Sequence, residues 1–284
     1  MKAILRSLLI AAACTLFAGC FQIERVVNVK QDGSGTITET VIIPKAIIAQ
    51  MKQMTDAFKS VGADGAQPAT PVKSPGDPDE AKLKEQASKM GEGVTFQSAK
   101  KVSTATGEGF AAIFTFTDIS KVKLDQNPSD AVPSAGPGMD VKSKGPPEII
   151  TFQFTKGKSS QLIVNMPAFK PAADAGKKDK EPKADGFPGG EDMAMAMMKE
   201  MFKDMRMTLA IEINGKIVKT DADNVTGNRI TLMDMDFNKL LANPEKFKAL
   251  SKAEPKGLEE AKVLMKGIDG IKFETKPKVT IAFQ

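Results

Sequence analysis

The sequence predicts an α+β fold: an antiparallel sheet built from hairpins, with helices packed on one face and long disordered loops interrupting the order. Three observations predict it. Short β-branched segments alternate inward and outward residues and meet at glycine-rich turns. Other segments repeat apolar residues at helical spacing. Three stretches, near 62–78, 127–147 and 167–190, are dense in Pro, Gly and small or mixed-charge residues and read as flexible.

Taken in order, Gln22 to Lys30 alternates through Ile23, Arg25, Val27 and Val29 and reads as a strand. Asp32-Gly33-Ser34-Gly35 reads as a hairpin turn, because glycine accepts the positive φ that tight turns need. Thr36 to Ile43 returns as the second strand. Pro44 suits a first helical position, and Ala46, Ile47, Met51, Met54 and Phe58 recur at helical spacing. Asp79 to Met90 reads as a helix with Ala81, Leu83, Ala87 and Met90 facing inward and Gly91 as its stop. Val94–Thr104 and Phe110–Asp118 are strands joined near Gly107-Glu108-Gly109. Glu148–Phe154 and Gln161–Met166 make a hairpin around Lys156-Gly157-Lys158.

Glu191 to Asp204 has helical spacing. Met205–Ile213 and Lys216–Thr220 are expected to pair as a hairpin around Asn214-Gly215, among the strongest short turn signals. Arg229–Met235 is a strand, with Asp236 placed to cap a following helix. A short helix over Gly257–Lys266 and strands at Ile271–Glu274 and Lys278–Phe283 complete the chain. The order strand, hairpin, strand, helix of Ile23–Phe58 is partly repeated over Met207–Leu250, though few residues match.

Composition narrows the chemistry. The 284 residues include no His, Trp or Tyr and only two Cys. A His general base, a Ser-His-Asp triad, a Cys-His pair and a His or Cys zinc site are therefore absent. No cofactor and no metal is expected, and no enzymatic activity. Mixed-sign charge gives no basic footprint for nucleic acid, and stacking Trp and Tyr are missing.

Met1-Lys2 and Arg6 precede an apolar run that ends Leu16-Phe17-Ala18-Gly19-Cys20. A charged start, a short apolar core and a small-residue site make a secretory signal over residues 1–19, and the run is too short to span a bilayer. The ending resembles the lipobox of bacterial lipoproteins, with Phe17 where Leu is commonest. That resemblance implies a thioether-linked diacylglycerol on Cys20, which becomes the N-terminus of a mature domain over 20–284 and is acylated in turn. Loss of Lys2 and Arg6 from 40 basic residues set against 35 acidic ones leaves a formal charge of +3. Phe21-Gln22 lacks the Asp that retains many such lipoproteins at the inner membrane, so the family rule implies the periplasmic face of the outer membrane.

The remaining motifs have ordinary readings beside functional ones. Seven methionines fall between Met193 and Met207, where thioethers suit soft Cu(I). Met197, Met201 and Met205 share one helical stripe, however, which is the pattern of core packing or of an adaptable binding face. They are the candidate soft binding face of this chain. Asp221-Ala222-Asp223-Asn224 has oxygen ligands close together but lacks the glycine and distal Glu of a calcium loop, and reads as a polar turn. Met233-Asp234-Met235-Asp236 puts two acids on one strand face unless Asp236 has turned to cap.

Cys20 with its β-rich start, the Asp32-Gly33-Ser34-Gly35 turn, and Gly227-Asn228-Arg229-Ile230-Thr231-Leu232 with Met235-Asp236-Phe237 look like uncharacterised bacterial lipoproteins. More distantly they resemble the actinobacterial LppM-type domain, from which this chain departs in its inserted linkers and its lack of Trp. That resemblance implies an envelope domain that handles lipid or amphiphile, with no catalytic residue to transfer. The expected function is non-catalytic binding or scaffolding by a membrane-anchored lipoprotein, with an envelope protein or amphiphile as partner. The alternatives are an amphiphile carrier and a carboxylate-dependent hydrolase, the latter signalled by two buried acids in one cleft.

Overall fold

A computed structural model describes residues 21–49, 52–53, 76–126, 148–167, 204–243, 245 and 268–284. The signal segment, Cys20, Met197 and Met201 lie outside these residues. So do the segment expected to be flexible at 127–147, nearly all of those expected near 62–78 and 167–190, and the helices expected over Glu191–Asp204 (Asp204 apart) and Gly257–Lys266.

Thirteen strands among the described residues form two sheets. The first strands are β1 (Gln22–Val29) and β2 (Gly35–Pro44), followed by β3 (Thr95–Ser103) and β4 (Gly107–Phe116). Next come β5 (Lys123–Asp125), β6 (Ile149–Thr155), β7 (Ser160–Asn165), β8 (Arg206–Ile213) and β9 (Ile217–Thr220). The last are β10 (Val225–Thr226), β11 (Arg229–Asp236), β12 (Ile271–Phe273) and β13 (Lys278–Phe283). The larger sheet runs β10-β11-β8-β1-β2-β4-β3, with β12 also on β11; the smaller runs β5-β6-β7-β13-β9.

Period-2 alternation decides how they pack. Ile23, Val27 and Val29 of β1, Ile37, Val41 and Ile43 of β2, and Phe110 and Phe114 of β4 point to one side. There they share one buried cluster with Ile150, Phe152, Leu162, Val164, Val279, Ile281 and Phe283 of the smaller sheet. Among the described residues the architecture is therefore a β-sandwich with few helices, not a single sheet covered by helices. The expected α+β class is corrected for a physical reason. The segments 148–166 and 278–283 pair with each other instead of extending the first sheet, and their apolar face replaces the helical layer.

Helices occupy the margins. Helix α1 (Glu80–Lys89) starts where expected, with the Asp79 carboxylate accepting from the Ala81 and Lys82 amides. Leu83, Ala87 and Met90 are buried beneath it, but Ala81 is exposed. Residues 45–49 are helical after Pro44. Helix α2 (Phe237–Leu241) is capped by Asp236, whose carboxylate accepts from the Lys239 amide. Among the described residues, no helix is long and apolar enough to cross a membrane.

The hairpins β1–β2, β3–β4 and β6–β7 form as the turns predict. Asn214-Gly215 does not make one. Strand β8 pairs with β1 in parallel and with β11, whereas β9 pairs with β13 in the other sheet. The dipeptide is a crossover between sheets, closed by Lys216 and Gln284 exchanging backbone hydrogen bonds at 2.7 and 3.0 Å. A Cβ on Gly215 would lie 2.5 Å from the Gln284 carbonyl oxygen, so the crossing needs glycine for space. The partial repeat therefore lacks its second hairpin, although β1 and β8 do lie side by side.

Candidate functional site

The outward face of the larger sheet carries buried apolar residues at Val26, Ile42 and Ala210, and is polar toward the end of β1, at Asn28, Thr36, Glu212 and Arg229. Its residues come from alternate positions of the same strands, so burying Ile37 presents Thr36 and Thr38 outward. Cross-strand register aligns Thr95, Thr115, Thr36, Asn28, Glu212 and Arg229 in one row across six strands. At about 4.8 Å per strand that row is about 24 Å long.

The row opens into a cleft of about 320 Å³ at the end of the sheet where β1 finishes and β2 begins. Asn28, Thr36 and Glu212 form its floor, while Lys30, Asn214 and Asn228 come from the turns beside it. Close backbone approach shapes the floor: a Cβ on Gly35 would lie 1.9 Å from the Asn28 carbonyl oxygen. Asn228 is fixed by its Nδ2 donating to the Ile213 carbonyl at 2.8 Å. Arg229 steadies the Glu212 wall, donating to Glu212 at 2.9 Å and to Glu24 at 2.7 Å. Burial works against the Arg229 charge, but these two carboxylates outweigh it and raise its pKa. The side chains of Asn28, Lys30, Thr36 and Asn214 hydrogen-bond no other described residue, and Lys30 and Asn214 are exposed.

Two acids do meet elsewhere. Asp223, in the polar turn after β9, and Glu274, after β12, lie where the chain crosses between the sheets. The Asp223 amide donates to Glu274 Oε2 at 2.8 Å and the Lys276 amide to Oε1 at 3.1 Å. Asp223 in turn accepts from the Thr275 hydroxyl and amide through Oδ2 and from the Lys276 ammonium through Oδ1. Burial pushes the Glu274 carboxyl up, and the Asp223 charge adds to this. Asp223 is pushed up by its own burial, but Lys276, Thr275 and Glu274 outweigh that and hold it far below the usual carboxylate range. All four oxygens are engaged by donors of the chain itself, so the cluster clasps two crossovers. Asp221 likewise accepts from the Thr280 amide at 2.7 Å.

Met205 is half-buried just before β8, and its carbonyl accepts from the Phe237 amide at 3.0 Å. It does not reach the cleft, which is at the other end of β8. Asp234 takes two hydrogen bonds from Arg206 and one from Thr208 while Asp236 caps α2, so both acids have structural partners. The cleft was missed in the sequence because Asn28 lies far along the chain from Asn214 and Asn228. Each reads locally as a polar residue beside a turn.

No family model and no curated protein matches the chain. Among solved structures, the NMR structure of the folded domain of LppM from Mycobacterium tuberculosis is similar over 95% of this chain and 94% of that one. The identity is 8% and the TM-score 0.28, a likeness that fixes neither fold detail nor function.

Proposed function

We propose that the chain is a bacterial envelope lipoprotein, held on a membrane by lipid on Cys20, whose sandwich serves as a non-catalytic binding or scaffolding module. The path of β1 carries this reading. The strand starts two positions after Cys20, and Phe21 between them accepts from the Arg206 amide at 2.8 Å. A lipid on Cys20 thus joins the sheet without a linker. Strand β1 then runs about 20–25 Å to the cleft. The cleft lies at the far end of β1 from Gln22, so in this reading it stands off the membrane by the length of the strand.

Two or three acyl chains, at about 0.8 kcal/mol per buried methylene, exceed the marginal hold of one. Phe21-Gln22 at the sorting positions supports the periplasmic face of the outer membrane. The filled oxygens of Asp223 and Glu274 support a binding role over carboxylate hydrolysis. A carrier of amphiphiles needs an apolar pocket of about 300–1,000 Å³. The cleft has a volume at the lower end of that range, and six of the eight residues lining it carry polar side chains, which supports a partner with hydrogen-bonding groups.

The test is the mass of the N-terminal peptide from native membranes, with photo-crosslinking from position 214 in the intact envelope. A diacylglyceryl-modified, acylated Cys20 and a discrete crosslinked partner are the expected results. Unmodified Cys20 in the soluble fraction overturns the anchor. Turnover of an envelope substrate that one carboxylate substitution abolishes overturns the binding role.

A further inference from the structure

The cleft has a chemical signature of its own. Asn28 and Asn214 contribute two carboxamides with no described partner, each offering donors and an acceptor side by side. That pairing complements the N–H and C=O of a peptide main chain. Lys30 adds an exposed ammonium at the rim of the cleft. Glu212, whose Oε1 accepts from Arg229, brings a carboxylate to the floor of the cleft. Such a site repels a densely anionic polymer and accommodates one carboxylate beside neutral amides.

No aromatic side chain lines the cleft. A sugar ring would have no stacking surface there, whereas a peptide needs none. The polar row leading away from the cleft also has the right dimensions. From Asn28 the row continues over Thr36, Thr115 and Thr95 for about 14 Å, which at about 3.3 Å per residue matches about four extended residues.

We infer that the cleft binds an extended peptide that carries a free carboxylate, with Asn28 and Asn214 holding a main-chain amide and Lys30 the carboxylate. The inference rests on the reading of the domain as a binding module and names the partner that module takes. Charge complementarity is confined to one end, so the ligand has a direction: carboxylate at Lys30, the rest along Thr36 and Thr115.

The experiment uses the full mature chain from Cys20 in detergent micelles and fluorescence anisotropy of a dye-labelled penta-alanine. Its free-carboxylate form is compared with its C-terminal amide, and the N-acetylglucosamine tetramer serves as competitor. The free acid is expected to bind about tenfold more tightly than the amide, the effect of one hydrogen bond to a charged group. Lys30→Ala is expected to erase that difference. Asn28→Ala and Asn214→Ala weaken both forms, and unchanged circular dichroism spectra show that the variants fold. Equal binding of acid and amide overturns the inference. Displacement by the sugar tetramer overturns it in favour of a glycan but leaves the binding module standing. Silence of both probes, with no partner crosslinked from position 214, overturns both.

Discussion

Arg25 and Glu39 face each other directly across β1 and β2 and are both withdrawn from water inside the sandwich. Arg25 Nε donates to Glu39 Oε2 at 2.9 Å and Nη2 to the same oxygen at 2.5 Å, while Nη1 reaches the Asp125 carbonyl at 3.1 Å. Gln86 of α1 closes the network from above, with Nε2 at 3.0 Å from both Glu39 oxygens. The pair thereby ties two strands of one sheet to a helix and to the edge of the other sheet. Its charges are compensated only in that arrangement.

Removing one partner leaves a buried charge. Glu39→Ala is expected to destabilise the fold by about 3–5 kcal/mol, read from urea unfolding. The double replacement Arg25→Met with Glu39→Leu is expected to recover most of that loss, because no unpaired ion remains. A double variant no more stable than Glu39→Ala contradicts this account.

Glycine matters at Gly35 for space and at Gly227 for backbone angle alone. Gly227 has a φ of +61° and nothing within 4 Å of an added Cβ, so Gly227→Ala is expected to cost about 1 kcal/mol. Gly35→Ala drives a methyl into backbone and is expected to cost more than about 4 kcal/mol, the range of exceptional substitutions. Thermal melts of both variants side by side give the comparison.

The Asp223–Glu274 clasp gives stability an acid-side profile. Glu274 has its pKa raised above the ordinary 4.5, so its ionised form is disfavoured in the fold and stability rises as pH falls through the raised value toward 4.5. Asp223 has its pKa lowered from 3.8, so its contribution is present above that value and is lost as pH falls below it. Asp223→Asn is expected to flatten the loss below pH 3.8 relative to the unaltered chain and to bring the Glu274 pKa down, because a neighbouring negative charge is gone. Carboxyl carbon NMR titration measures the second effect; an unmoved Glu274 contradicts it.

Cys20→Ala is expected to shift the chain from the membrane to the soluble fraction and to change unfolding free energy by less than about 0.5 kcal/mol. Fractionation and urea unfolding read the two effects separately. Retention on the membrane after this substitution points to a second attachment.

Local signals in the sequence correspond to local structure. Asp79 caps α1, Gly33 turns β1 into β2, and Lys156-Gly157-Lys158 turns β6 into β7 because each decision depends on neighbours within a few residues. Asn214-Gly215 misled because its turn chemistry is compatible with a crossover, and only the distant edge of β13 decides where β9 pairs. Arg25 falls at an inward position of an apolar strand, but nothing local identifies its partner as Glu39. The Asp-Gly turn held more than a hairpin: a Cβ on Gly33 would lie 2.6 Å from the Phe154 ring, so the turn is also pressed against the smaller sheet. The cleft was the least legible part, since three segments distant in the chain build it.

The parallel pairing of β1 with β8 sets a schedule for making this protein. Gln22 aligns with Arg206, 184 positions later. At about 5–20 residues per second of synthesis, the first strand waits about 10–40 s for its neighbour. Through that interval the β1–β2 hairpin has a bare edge next to the apolar side of β1, which invites pairing with other chains. Chains that stop before residue 206 never close that edge. Truncated products of this gene are therefore expected to be adhesive species rather than smaller working domains, and cells making them to depend on holding chaperones and proteases that clear unfinished sheets.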